Sequence, residues 1–145
     1  MEMLIGPIDF AEDRPLAGYS SGGEIYFSVG DHFFPAENWY DCLWQDLQTW
    51  LPGLISFGSS HTDSCELIFM DGPYTIRLFR REDGAICADF LREQKQIDSQ
   101  MNVDLRTLLK SILSCCRKYD RFLHENWKTN QFHEEIKTLR QLLDT

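Results

Sequence analysis

No stretch of the chain approaches the ~18 uncharged apolar residues that a membrane-spanning helix needs, and Met1-Glu2-Met3-Leu4 lacks the basic opening of a secretory signal. These two absences lead to the expectation of a soluble, cytosolic protein without a membrane partner. Cysteine is sparse and odd in number. The five cysteines include the adjacent Cys115 and Cys116 and have no CxxC spacing, so reduced thiols are expected rather than a disulfide framework. Motifs of catalysis are missing as well. His133-Glu134-Glu135 has no second histidine, and there is no GxSxG elbow, no phosphate-binding GxxxxGK[ST] loop and no HxE with PCxxC. His32, His61, His124 and His133 share no ligand spacing. The sequence therefore assigns no catalytic residue, no cofactor and no metal.

Basic charge is the remaining scarcity, and it is uneven. The formal charge is −9 over 145 residues. From Met1 to Gly72 there are 12 acidic residues and one basic residue, Arg14, whereas Pro73 to Thr145 holds 13 basic and 11 acidic. Phosphate backbones are bound by Lys and Arg, so nucleic acid is not the expected partner. A lopsided acidic field attracts a basic protein, or does no more than keep the chain soluble. Arg106, Lys110, Arg117 and Arg121 form a basic stripe at helical spacing, read as a solvated face because nothing aromatic interleaves with it.

With 43% hydrophobic and 13% aromatic residues, the chain can bury a core as one domain spanning 1–145. Residues 1–23 mix apolar pieces with turn formers and predict an irregular lead-in with at most one short strand. Glu24 to Val29 alternates as a strand, with Ile25, Phe27 and Val29 on one side. After Phe33-Phe34-Pro35, the residues Trp39, Tyr40, Leu43, Trp44, Leu47, Trp50 and Leu51 share one arc of a helix that Pro52-Gly53 would end. On this helix the three tryptophans read as core, with Tyr40 and Trp44 nearest the edge of the arc. Ser64 to Phe90 reads as a three-stranded meander turned at Asp71-Gly72-Pro73 and Glu82-Asp83-Gly84, its first strand central because both faces are apolar. Arg92 to Met101 reads as a polar connection. Leu105 to Leu123, capped by Asn102 or Asp104, and Phe132 to Leu143 are amphipathic helices. The order predicts an α+β fold: a twisted antiparallel sheet, the meander plus at least one N-terminal strand, with three helices packed on it.

Two strings carry a resemblance. Phe33-Phe34-Pro35-Ala36-Glu37-Asn38-Trp39-Tyr40-Asp41 resembles an FPxxxWxD opening, and Phe69-Met70-Asp71-Gly72-Pro73-Tyr74 resembles an FMDGPY hairpin, both of a family of small uncharacterised bacterial proteins. The match spans the central third to half of the chain. Such proteins are similar to the immunity proteins that protect bacteria from their own polymorphic or contact-dependent toxins. The resemblance and the charge map imply a non-catalytic antitoxin that covers a basic, nuclease-type toxin stoichiometrically. The expected contact surface is Glu37, Asp41 and Gln45 on the outer arc of the first helix, Asp63 and Asp71 in loops, and Tyr40 and Trp44 as aromatic anchors. The alternatives are an enzyme with a site near Cys42, His32 and Asp41, and a non-catalytic subunit of a larger assembly.

Overall fold

The computed structural model describes residues 1–10, 21–127 and 131–145. Strands β1 (Glu2–Phe10), β2 (Ser21–Val29), β3 (His32–Phe34) and β4 (Tyr40–Asp41) form one antiparallel sheet, in which β2 pairs with the other three. Helix α1 (Leu43–Gly58) follows, and β5 (Ser64–Ile68), β6 (Tyr74–Arg80), β7 (Ile86–Arg92) and β8 (Lys95–Gln100) form a second four-stranded meander. Helices α2 (Leu105–Trp127) and α3 (His133–Leu143) close the chain. The fold is α+β with antiparallel sheets, as the element pattern implies. The N-terminal strands build a sheet of their own instead of extending the meander.

The alternating apolar positions meet in one core. Ile25, Phe27 and Val29 of β2 are buried, as are Leu67, Ile76, Leu78, Ala88 and Phe90 of the meander. Phe69 joins the two sheets, its ring 6.2 Å from Phe27, 6.0 Å from Phe34 and 4.9 Å from Trp50 of α1. The helices contribute Leu43, Leu47, Leu51, Leu108, Ile112, Cys116, Tyr119, Leu123 and Leu139. Leu47 is wholly buried, and burying such a side chain is worth ~1.5 to 3 kcal/mol. Leu47→Asp would also force a charge into the core, so the variant should show no cooperative thermal melt at neutral pH. A melt like that of the parent would sink this packing.

Five local expectations fail, each for a nameable reason. The first helix does not start before Leu43, because the backbone of Trp39 to Asp41 is claimed by the first sheet: Ile25 N–H donates to Trp39 O, and Asp41 pairs with Gly23. Nor does it stop at Pro52, which lies inside α1 on its exposed side. An internal proline costs ~3 kcal/mol, but two further apolar residues, Leu54 and Phe57, become fully buried, at ~1.5 to 3 kcal/mol each. The lead-in contains the nine-residue β1, where Gly6-Pro7 sits at a register shift between Ile5 and Ile8 and does not turn the chain. The polar run after Arg92 is β8, reached through Glu93 (φ 53°) and Gln94 (φ 65°), a tight two-residue turn lacking its usual Asn or Gly. Finally, β5 is an edge strand with Ile68 46% exposed, and Met70 just beyond it is 48% exposed.

Helix side chains finish two sheet edges. Along β1, Met3 N–H donates to Ser111 Oγ (2.8 Å), Met3 O accepts from Cys115 Sγ (3.4 Å), and Lys118 Nζ donates to Ile5 O (3.2 Å), all from one stripe of α2. Along β5 and its hairpin, Trp50 Nε1 of α1 donates to Ile68 O (2.8 Å), and Met70 N–H donates to Asp46 Oδ1 (3.0 Å). Covered edges do not template further strand pairing. Asp104 caps α2, accepting from Thr107 N–H (3.2 Å) and Thr107 Oγ1 (3.0 Å). Among the described residues no helix is long and apolar enough to cross a membrane.

Candidate functional site

Asp41, Asp46 and Asp71 come together where α1, β4 and the β5–β6 hairpin meet. Asp41 is wholly buried. Its carboxylate accepts from Trp39 Nε1 (2.9 Å), from Cys42 N–H (2.7 Å) and from Asp71 N–H (3.2 and 3.3 Å to the two oxygens). Three donors from two separate chain segments thus converge on one side chain. The two strings that carry the resemblance are in contact here: Trp39 packs edge-on to Tyr74 at 5.2 Å, and Phe34 does the same at 5.6 Å. Gly72, at φ 88°, lies so close under Trp39 that a Cβ there would sit 3.2 Å from the ring.

Asp46 is the unusual member. It is wholly buried on the first turn of α1, and one oxygen holds Met70 N–H. The other, Oδ2, meets no N–H or O–H donor. Two ionised carboxylates cannot hydrogen-bond to each other, so the interaction Asp46 makes with Asp41 requires a proton between them, carried by Asp46. Burial first, then the adjacent Asp41 charge, pushes the Asp46 carboxyl up to about 9, with Asp71 adding to the rise and the Met70 amide opposing it. At neutral pH the buried Asp46 carboxyl is therefore held in its protonated form.

Donor atoms of Asp41, Cys42 and Asp71 lie within 4.8 Å of one another, the spacing of a cation's ligands. The Asp41 oxygens already serve three N–H groups, and burial together with the neighbouring Asp71, Asp41 and Asp46 raises the pKa of the Cys42 thiol, which keeps it protonated. The cluster as it stands is a hydrogen-bonded clamp on the hairpin. Burial likewise pushes the Cys65 and Cys115 thiols up to about 12.

The residues expected to contact a partner are dispersed. Glu37 is exposed in the loop ahead of β4, Gln45 is exposed on α1, and Asp71 is exposed at the hairpin, its backbone held by Asp41. Asp63 lies at the far end of β5, 3.7 Å from Arg80 Nη1. Tyr40 is 44% exposed, but it sits on the first sheet and not on the helix. Two expectations are corrected: Asp41 is buried because its acceptors are needed inside, and Trp44 is buried, 4% exposed, because α1 begins later and turns its ring onto Phe132 at 5.7 Å. Of the three residues of the enzyme alternative, Cys42 and Asp41 cluster with Asp71, while His32 Nε2 lies 2.9 Å from Asp98 Oδ2 of β8 and Nδ1 lies 3.4 Å from Asp31, so His32 serves other partners. Asp46 escaped the sequence reading. Its only signal was an acidic residue one position before Leu47 on the apolar arc.

The fold and this clamp define the molecule as an α+β protein of two four-stranded antiparallel sheets tied together by buried carboxyls. No protein-family model, curated protein or solved structure matches the chain.

Proposed function

We propose that this protein is an immunity-type antitoxin that neutralises a basic toxin by stoichiometric binding, without chemistry of its own. One observation carries the reading. The sequence from Pro15 to Ile76 contains no Lys or Arg, and it supplies β2, β3, β4, α1 and β5. The acidic bias therefore belongs to neighbouring elements of the fold and is not scattered along the chain. Exposed Glu37, Asp71 and Asp31 extend that field into solvent, whereas Glu66 is paired with Arg77 of β6 at 3.0 Å. An acidic surface steers a basic partner, and a toxin that must bind phosphate has such a surface to cover.

Co-expression with the product of the adjoining reading frame is the test. Growth should be rescued, and the two chains should purify as a one-to-one complex. The association rate should fall about tenfold or more between 0.1 and 1 M salt, as the screening length shrinks from ~10 to ~3 Å. A neighbour that is harmless alone, or that remains toxic and unbound in the presence of this protein, would refute the antitoxin reading.

A further inference from the structure

The outer face of the second sheet is built in three level rows. Antiparallel register places Ile68, Thr75 and Leu91 side by side, with Gln96 at the end of the row and Ile97 in the register shift next to it. The middle row is Glu66, Arg77, Asp89 and Ser99, and the third is Ser64, Phe79 and Cys87. Their neighbours along the strands, Leu67, Ile76, Leu78, Ala88 and Phe90, fill the core, so these rows point the other way. Leu91 and Cys87 are nevertheless only 3% and 1% exposed, and among the described buried apolar side chains these two stand apart from the core cluster. They belong to a second, thinner apolar layer, at whose ends Ile68 and Ile97 are 46% and 57% exposed. In the middle row Arg77 donates from Nε and Nη2 to Glu66 Oε1 (3.1 and 3.0 Å). Asp89, on the other side of Arg77, has no ion-pair partner among the described residues.

We propose that this face is the contact between two copies of the chain, packed sheet on sheet about a two-fold axis that runs along the strands between β6 and β7. Such an axis reverses the order of the strands and keeps each row level, so β6 of one copy lies over β7 of the other, and β5 over β8. Every row then meets its complement. Arg77 faces Asp89 of the second copy, twice by symmetry, and Glu66 faces the Ser99 hydroxyl. Thr75 lies over Leu91, Phe79 over Cys87, and Ile68 over the end of the row at Gln96 and Ile97. A face whose charged and apolar rows are their own complements when reversed selects a second copy of itself over an unrelated protein. At ordinary strand spacing and rise the face measures about 19 by 17 Å, smaller than a permanent interface, so the dimer forms reversibly and with concentration. It needs no toxin and stands whether or not the antitoxin reading does.

Sedimentation velocity is the test, at about 0.15 M salt, where a screening length of ~8 Å limits the repulsion between two chains of formal charge −9. The parent should pass from monomer to dimer between about 10 μM and 1 mM, the range of a small interface. A parent that is still monomeric at the top of that range overturns the proposal. Asp89→Arg alone and Arg77→Asp alone each set like charges against each other twice across the axis, and each should raise the dimer dissociation constant about 30-fold or more. Mixed one to one, the two variants should form a heterodimer within about threefold of the parent's affinity, because the retained Arg77 and Asp89 face each other and so do the two introduced charges. Single reversals that dimerise like the parent, or a mixture that stays monomeric, overturn the proposal and put any dimer on another face. Both positions lie outside the core cluster, so the thermal melts of the monomers should match the parent's. Should either reversal fail to fold, Ile68→Lys at the exposed end of its row decides: it should weaken the dimer about tenfold or more, and an undiminished dimer overturns the proposal.

Discussion

Asp46→Asn should make the protein more resistant to alkaline conditions, with an advantage over the parent that grows as pH rises from about 4 to about 9. The sign follows from where the proton sits. Asp46 is held at about 9 in the folded chain and returns to 3.8 when unfolded. Below 3.8 the carboxyl is protonated in both states, and its contribution to stability is fully present. Above that, the unfolded chain releases a proton that the folded chain retains, so stability falls with rising pH until the folded group ionises near 9. The slope from this one group reaches at most about 1.4 kcal/mol per pH unit. Asparagine keeps an acceptor for Met70 N–H and an N–H donor for Asp41 but has nothing to titrate. Chemical denaturation at pH 5, 7 and 9 should therefore show the parent losing stability across the series and Asp46→Asn losing much less. Equal losses in the two proteins would mean that Asp46 does not hold the proton.

Asp41→Ala should be strongly destabilising, by about 3 to 5 kcal/mol at pH 5. Removing the carboxylate strands the partly buried donors Trp39 Nε1, Cys42 N–H and Asp71 N–H at once, and a donor left unmade costs up to ~1 to 3 kcal/mol. Relief of the Asp46–Asp41 repulsion works in the other direction and offsets more of the loss as pH rises. The variant's deficit should accordingly be smaller at pH 9 than at pH 5. Hydrogen exchange at Asp71 and Met70 should quicken before exchange in β6 and β7, because the hairpin loses its tie to β4 while its own ladder remains. Protection at Asp71 that survives the substitution would show that the clamp lies elsewhere.

Much of the fold was legible because hydrophobic period is a local property. Ile25, Phe27 and Val29 at a period of two, and Leu108, Ile112 and Tyr119 at helical spacing, announce a buried face without reference to the rest of the chain, and all are buried. Asp71-Gly72-Pro73 turned the chain as its residue types require, and Gly72 takes the positive φ. The class of fold and the uneven charge followed from the same one-dimensional reading.

The tertiary structure alone decided where local preference was outweighed. Proline ends a helix by local rule, but Leu54 and Phe57 could reach the core only if α1 continued through Pro52. Trp39 and Tyr40 fit a helical arc, but β2 offered their backbone a strand partner and Asp41 an inward place. A carboxylate also reads the same in sequence whether it is solvated, as at Glu37, or buried, as at Asp41 and Asp46. Its role depends on which N–H groups and which second carboxyl the fold brings to it, and Met70 and Asp71 arrive from 24 and 30 residues away. Sequence could count the charges and pattern the faces; which acids were to be clamped, protonated or left open to a partner was set by long-range hydrogen bonds that exist only in the packed chain.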